Sequence, residues 1–127
     1  MIVALPVDGD FGIESEISQH FGRTRYFAFA RIEKGSIIEI NIKENPFMEH
    51  GVGDLPNFIK ENNAEVVIAY GMGEKAIELF NSYGIDVITG ANGKIKDVLE
   101  EFLKNSLDLD TSWKDNEDFG HEHHDRD

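Results

Sequence analysis

The residues best suited to chemistry in this sequence include two histidines that stand in glycine-containing segments. One segment is His20-Phe21-Gly22-Arg23, just before a predicted strand, and the second histidine, His50, comes just before a predicted helix. A neutral imidazole is the commonest metal ligand in proteins. The arginine could pair with an anionic ligand or with a nearby glutamate. We therefore predict a binding loop around His20, and an ordinary surface role for both histidines is the alternative.

The C-terminal tail holds the other three histidines. His121, His123 and His124 stand beside acidic residues, and short tracts of this kind can hold nickel, zinc, copper or cobalt without a fold. Residues 108–127 contain eight acidic and two basic side chains but few apolar ones. They therefore cannot bury enough surface to offset the entropy that is lost on ordering. We predict a disordered acidic tail that binds a divalent metal, with a simple solvated tail as the alternative.

Three glycine-rich loops follow predicted strands, at residues 8–12, 71–73 and 90–93. In an open α/β sheet, ligands bind beyond the carboxyl ends of the parallel strands, and the amides that open the next helices favour anions. Residues 71–73 are half of a dinucleotide-binding fingerprint, but Ala76 occupies the third glycine position. We predict that the three loops form a cradle for an anionic ligand, and tight turns that allow close packing are the alternative.

A complete catalytic set is missing from the sequence. Asp8 and Asp10 form a carboxylate pair at the end of the first predicted strand, but two-metal hydrolysis also needs acids on later strands, which offer only Asp86. There is no Gly-x-Ser-x-Gly segment and no cysteine, which excludes a thiol nucleophile, disulfides and cysteine-ligated clusters. We therefore expect a non-catalytic protein, with nuclease activity as the enzymatic alternative.

An alternating pattern of strands and helices must position these residues. Apolar runs and period-two patterns predict five strands, at residues 2–7, 26–32, 36–42, 65–70 and 85–89. Helical patterns predict three helices: one that begins with Asp54 as its N-cap, one that follows Gly73 and ends at Tyr83, and one from Ile95 to near Lys104. In the third strand, Ile38, Ile40 and Ile42 are predicted to share one face. A leading hairpin followed by alternating units implies a mixed α/β sheet with helices on both faces.

Composition limits the class of protein. The chain has 127 residues, of which 40% are hydrophobic, and this suits one domain with an ordinary core. Its 12 basic and 25 acidic residues give a net charge of −13, which disfavours general nucleic-acid binding. No apolar stretch approaches the roughly 20 residues that a membrane helix needs, and the first apolar run lacks the length and basic flank of a signal peptide. We expect a cytoplasmic protein that binds neither nucleic acid nor membranes.

Three segments of the sequence together resemble the dinitrogenase iron–molybdenum cofactor biosynthesis family, which includes NifX, NafY and the C-terminal domain of NifB. The segments are residues 17–23, 65–76 and 83–90, and the resemblance extends over about residues 1–105. It implies a three-layer α/β/α, ribonuclease-H-like fold with a mixed five-stranded sheet, used without nuclease chemistry. It also implies binding of the iron–molybdenum cofactor or its iron–sulfur precursor, with a donor or acceptor protein as partner. The resemblance points to His20 as the cofactor contact, with Phe21, Gly22 and Arg23 around it. Together with Gly71, Met72 and Gly73 of the predicted cradle, these residues form the predicted cofactor-binding set.

We interpret residues 1–107 as a cofactor-binding domain and residues 108–127 as a separate tail. The first hypothesis is a non-catalytic carrier of an iron–sulfur or iron–molybdenum cluster, which would be a transient guest because the chain has no cysteine. The second hypothesis is a metal-ion buffer or sensor that acts through the tail. The candidate metal ligands are His20, His50, His121, His123 and His124.

Overall fold

A computed structural model describes residues 1–47, 51 and 53–105 of the chain. The strands are β1 (Ile2–Val7), β2 (Tyr26–Glu33), β3 (Ser36–Glu44), β4 (Val66–Ile68) and β5 (Asp86–Ile88). The helices are α1 (Asp54–Glu61), α2 (Glu74–Ser82) and α3 (Ile95–Leu103), and two short 3₁₀ turns lie at Gly12–Glu14 and Phe21–Arg23. The predicted order of elements is therefore confirmed. The predicted tail lies outside the described residues.

The five strands form one mixed sheet in the order β3-β2-β1-β4-β5. The strand β2 runs antiparallel to both β1 and β3, whereas β1 pairs in parallel with β4, and β4 with β5. The carboxyl ends of β1, β4 and β5 consequently meet at one edge of the sheet. This topology brings the loops after these three strands to the same end of the molecule.

Helices cover both faces of the sheet because the side chains of each strand alternate between two cores. On one face, Val3 and Leu5 of β1 pack with Leu99 of α3. On the other face, Ala4 of β1 belongs to a cluster with Ile59 of α1 and Phe80 of α2. The predicted α/β architecture, with a mixed five-stranded sheet between layers of helices, is confirmed. The ribonuclease-H-like label stays a prediction.

The hairpin of β2 and β3 contains an irregularity that the sequence pattern did not show. The turn residues Lys34 and Gly35 both have positive φ, at 54° and 77°, as a tight type I′ turn requires. Arg31 pairs with Glu39 but the next residue of β2 pairs with Ile37, so Ile38 is an extra residue at a bulge. Ile38 is therefore 49% exposed, and the prediction that it shares one face of β3 with Ile40 and Ile42 was wrong.

The ends of the other elements differ from the prediction by one or two residues. The N-cap of α1 is Gly53, and Asp54, predicted as the cap, is the first helical residue. Its carboxylate accepts a hydrogen bond from the backbone N–H of Gly51 at 2.8 Å, so it stabilises the turn before the helix instead. Gly84 follows α2 with φ of 78°, which confirms it as the residue that ends that helix. Within the described residues, no helix has the length and apolar character needed to cross a membrane.

The segment at residues 14–17 is tied to the start of α3. The backbone N–H of Ile17 donates to the carbonyl of Gly93 at 2.8 Å, and the N–H of Ile95 donates to the carbonyl of Ser15 at 2.9 Å. Beside these bonds, the ammonium group of Lys94 lies 2.9 Å from a carboxylate oxygen of Glu14. The hydrogen bond and charge of Lys94 lower the pKa of Glu14, and the same contact raises the pKa of Lys94.

This ion pair predicts a pH-dependent contribution to stability. A lowered carboxyl pKa stabilises the fold above the pKa of the unfolded state, and this contribution is lost as pH falls through the folded pKa. The raised pKa of Lys94 likewise stabilises the fold until pH rises through that value. We expect a double-mutant cycle of Glu14→Gln and Lys94→Met, measured by denaturant unfolding, to show favourable coupling at neutral pH and low salt. Coupling that persists unchanged after Glu14 is protonated, or in high salt, would contradict this assignment.

Candidate functional site

The segment that carries His20 is fixed at both of its ends to the end of β1. The buried Ser18 donates its backbone N–H to the carbonyl of Pro6 at 2.9 Å. The buried Thr24 donates its hydroxyl to the carbonyl of Val7 at 2.8 Å. Buried polar groups need such partners. The residues between these two anchors therefore protrude from the edge of the sheet as a short, defined turn.

Phe21 attaches the middle of this turn to the core. Its side chain is only 5% exposed, and its ring packs edge-on against the rings of Phe27 and Phe80, with centroids 5.6 and 5.8 Å apart. These contacts join the turn to β2 and α2. Because Phe21 points into the core, the neighbouring His20 and Gly22 stay at the surface and are only partly buried.

The opposite wall is the loop between β4 and α2, which contains Gly71, Met72 and Gly73. Met72 is buried in the same core cluster as Phe21, which holds the loop close to the turn. Gly73 is the N-cap of α2 and has extended backbone angles, with φ of −64° and ψ of 153°. The backbone of this loop thus leads directly from a central strand into a helix.

These two segments enclose a cleft with a volume of about 290 Å³. The residues that line it are His20, Phe21, Gly22, Arg23, Gly71, Met72 and Gly73. They are the same seven residues that the sequence predicts as the cofactor-binding set. The structure therefore brings the predicted set together in space, while cofactor binding by these residues stays a prediction.

His20 and Arg23 are joined within the wall of the cleft. A guanidinium nitrogen of Arg23 lies 3.0 Å from Nδ1 of His20, and the backbone N–H of Arg23 donates to the carbonyl of His20 at 3.0 Å. The 3₁₀ turn places residues i and i+3 over one another, which allows both contacts. A guanidinium group can only donate hydrogen bonds, so Nδ1 of His20 must be the acceptor.

The predicted metal ligands are only partly within the described residues. His20 lines the cleft, whereas His50, His121, His123 and His124 lie outside the residues that the structure describes. Within residues 1–47, 51 and 53–105, no group of three or more histidine, aspartate or glutamate side chains could hold a metal ion. A closed site for a resident metal ion usually needs about four ligands. The described part of the chain does not provide one.

The other two predicted cradle loops, residues 8–12 and 90–93, are not among the residues that line this cleft. Local hydrogen bonds explain the difference. Gly90 and Ala91 donate their N–H groups to the carbonyls of Tyr70 and Ala69, which folds residues 90–91 onto the end of β4. Ile17 forms a bridge with Val7 of β1, and Glu16 forms one with Lys94, just before α3. Of the three predicted cradle loops, the lining of this cleft therefore includes only the loop at residues 71–73, and a cradle formed by all three loops stays a prediction.

The comparisons with known proteins agree with this architecture. The family model described as dinitrogenase iron-molybdenum cofactor matches residues 1–105. An uncharacterized protein of Methanocaldococcus jannaschii is 32% identical over 111 residues, which cover 85% of this chain and 90% of that protein.

Two solved structures show the same fold. The crystal structure of PH0822 has 48% sequence identity and a TM-score of 0.83, and the match covers 90% of this chain and 99% of that one. The NMR structure of a Thermotoga protein, provisionally described as a NifB protein, has 25% identity and a TM-score of 0.70, covering 85% of this chain and 91% of that one. The family match over the whole described body confirms the resemblance, and the chain belongs to the dinitrogenase iron–molybdenum cofactor family.

Proposed function

We propose that this protein is a non-catalytic carrier that holds an iron–molybdenum-type cofactor, or an iron–sulfur precursor of it, in the cleft beside His20. The observation that carries the proposal is the convergence of the turn at residues 20–23 and the loop at residues 71–73 around one cleft. Membership of the dinitrogenase iron–molybdenum cofactor family supports a cofactor-related role for that cleft.

The chemistry of the lining residues fits an anionic, sulfide-rich cargo. Arg23 supplies a permanent positive charge and several N–H donors, and hydrogen bonds to cluster sulfides are a common means of stabilising such clusters in proteins. His20 supplies one imidazole as an exchangeable metal ligand. The chain contains no cysteine, so no thiolate can fix a cluster permanently. A donor set of this kind suits cargo that is accepted and released.

The same lining residues support the absence of catalysis in this proposal. The seven described residues around the cleft include no carboxylate, hydroxyl or thiol group. General acid–base catalysis by paired carboxylates and attack by a hydroxyl or thiol nucleophile both need such groups. The carrier would exchange its cargo with a donor or acceptor protein. Its net charge of −13 makes nucleic acid an unsuitable partner.

An anaerobic titration with the isolated cofactor or its precursor cluster tests this function. We expect His20→Ala to weaken binding at least about tenfold, as the loss of a metal ligand or of its support commonly does. The matched control replaces His121, His123 and His124 with alanine in the full chain, and cluster binding should be unchanged. Metal analysis after gel filtration, together with the absorption spectrum of the bound cluster, measures the result.

The same pair of variants separates the two functional hypotheses. If His20→Ala binds the cluster as tightly as the natural chain, the cleft is not the cargo site and the proposal fails. If the tail variant loses divalent-metal binding while no variant affects cluster binding, the result favours a metal-ion buffer or sensor that acts through residues 108–127.

A further inference from the structure

We infer that Arg23 is a positioning residue that keeps the imidazole of His20 in the tautomer with its proton on Nε2. In this state His20 offers a hydrogen-bond donor at Nε2, and it can coordinate a metal through that nitrogen only after the contact between Arg23 and His20 has opened. The inference deepens the proposed function by assigning an order to the contacts of the cargo, and it rests on that function only for the identity of the cargo.

The direction of the hydrogen bond follows from the chemistry of the two groups. The guanidinium nitrogen of Arg23 lies 3.0 Å from Nδ1 of His20. Arginine stays protonated and carries five donors and no acceptor. An imidazole that accepts a hydrogen bond at Nδ1 carries its proton on Nε2.

This arrangement is the reverse of what surrounds most metal-binding histidines. Such a histidine usually donates its second ring N–H to a carboxylate or a carbonyl, which leaves a lone pair on the other nitrogen for the metal. In the wall of this cleft, Nδ1 meets a cationic donor instead. Coordination of a metal ion by Nε2 is therefore opposed by the proton on that nitrogen and by the positive charge of the Arg23 guanidinium on the other side of the ring. The contact disfavours coordination of a simple divalent cation.

An anionic cluster differs from a simple cation because it offers acceptors to Arg23. When sulfide or oxo groups of the cargo accept hydrogen bonds from the guanidinium, the bond from Arg23 to Nδ1 is replaced. The proton of His20 can then reside on Nδ1, and Nε2 gains a lone pair for a metal of the cluster. Arg23 and His20 thereby favour a cluster over a free metal ion, because a negatively charged group must accept the hydrogen bonds of Arg23 before His20 can coordinate a metal.

Nuclear magnetic resonance of the cluster-free full chain tests the tautomer directly. Long-range nitrogen–proton spectra at about pH 8, where an ordinary imidazole is neutral, separate the two tautomers, and the signal that disappears in His20→Ala identifies His20. We expect the Nε2–H pattern in the natural chain and a shift towards the Nδ1–H pattern in Arg23→Met. Arg25→Met is the matched control, since it removes the same charge from a guanidinium that lies 5.8 Å from the ring centroid of Tyr26.

A titration with Co²⁺ tests the consequence for metal binding. Paramagnetic broadening of the Gly22 amide signal reports binding at the turn, whatever the tail binds. We expect the Co²⁺ concentration for half-broadening to fall about tenfold in Arg23→Met, the size of effect that second-sphere changes produce, and to stay unchanged in Arg25→Met. The double variant His20→Ala, Arg23→Met should lose the gain. Arg23→Gln, which offers a carbonyl acceptor to Nδ1–H, should behave like Arg23→Met.

The outcomes are separate from those of the cluster titration. An Nδ1–H pattern in the natural chain, or a Co²⁺ response that is equal in the natural chain and in both Arg23 variants, would overturn the inference. A failure of His20→Ala to weaken cluster binding would overturn the carrier proposal but would leave the tautomer result intact. Because an unconstrained neutral imidazole also favours Nε2–H, the difference between the natural chain and the Arg23 variants tests the role of Arg23. Arg23→Gln repeats that comparison if Arg23→Met folds poorly.

Discussion

Replacing Phe21 with alanine is expected to lower the free energy of unfolding by about 3–5 kcal/mol, the range for large aromatic residues in protein cores. The ring is 5% exposed and has edge-on contacts with Phe27 and Phe80, so its removal leaves a cavity between the turn, the sheet and α2. The turn would also lose its attachment to the core. We therefore expect cluster binding to fall together with stability.

Phe11 provides the matched control because it is the same residue type in an exposed position. Its side chain is 73% exposed, and Phe11→Ala should change stability by less than about 0.5 kcal/mol. Denaturant unfolding followed by circular dichroism measures both variants. If the two substitutions destabilise the fold equally, the ring of Phe21 does not anchor the turn in the core.

The second large effect is expected on the face of the sheet away from the cleft. Leu99 of α3 is fully buried and packs with Val3 and Leu5, so Leu99→Ala should cost about 2–5 kcal/mol. Phe21 belongs to the other core, and cluster binding by folded Leu99→Ala should equal that of the natural chain. Thermal unfolding and the anaerobic titration, done at a temperature where the variant is folded, measure the two properties.

Leu103 allows a control within the same helix. It is the last residue of α3 and is only partly buried, so Leu103→Ala should destabilise the fold clearly less than Leu99→Ala. If Leu99→Ala instead weakens cluster binding in proportion to its loss of stability, the site depends on the whole fold, and the assignment of the cleft to one face is wrong.

Much of the fold could be predicted because most elements follow simple periodic patterns. In α3, apolar residues at helical spacing predicted both the helix and the side that it buries, with Ile95, Val98 and Leu99 all buried. The bulge at Ile38 could not be predicted, since it depends on the register between two strands and not on the sequence of either one. The N-cap at Gly53 was missed because the aspartate one residue later is a more strongly preferred cap than glycine.

The candidate site, too, could be predicted from the sequence only in part. The resemblance to a family pointed to the residues around His20, but their meeting with Gly71 depends on parallel pairing between β1 and β4, which periodicity does not reveal. Ser18 and Thr24 were missed because hydroxyl side chains are mostly exposed in proteins. A nearby glutamate such as Glu14 was an alternative partner for Arg23. Glu14 forms an ion pair with Lys94 instead, and Arg23 contacts His20.

The parallel ladder between β1 and β4 is short, with aligned pairs at Val3 and Val66 and at Ala4 and Val67. One wall of the cleft follows β1 and the other follows β4. A guest that touches both walls would therefore act as a noncovalent cross-link between the early and late parts of the chain. Because the guest binds only the native state, it would raise the free energy that is needed to separate β1 from β4. This increase would grow with the concentration of the guest. Binding of the guest and the stability of the pairing between β1 and β4 are therefore thermodynamically coupled.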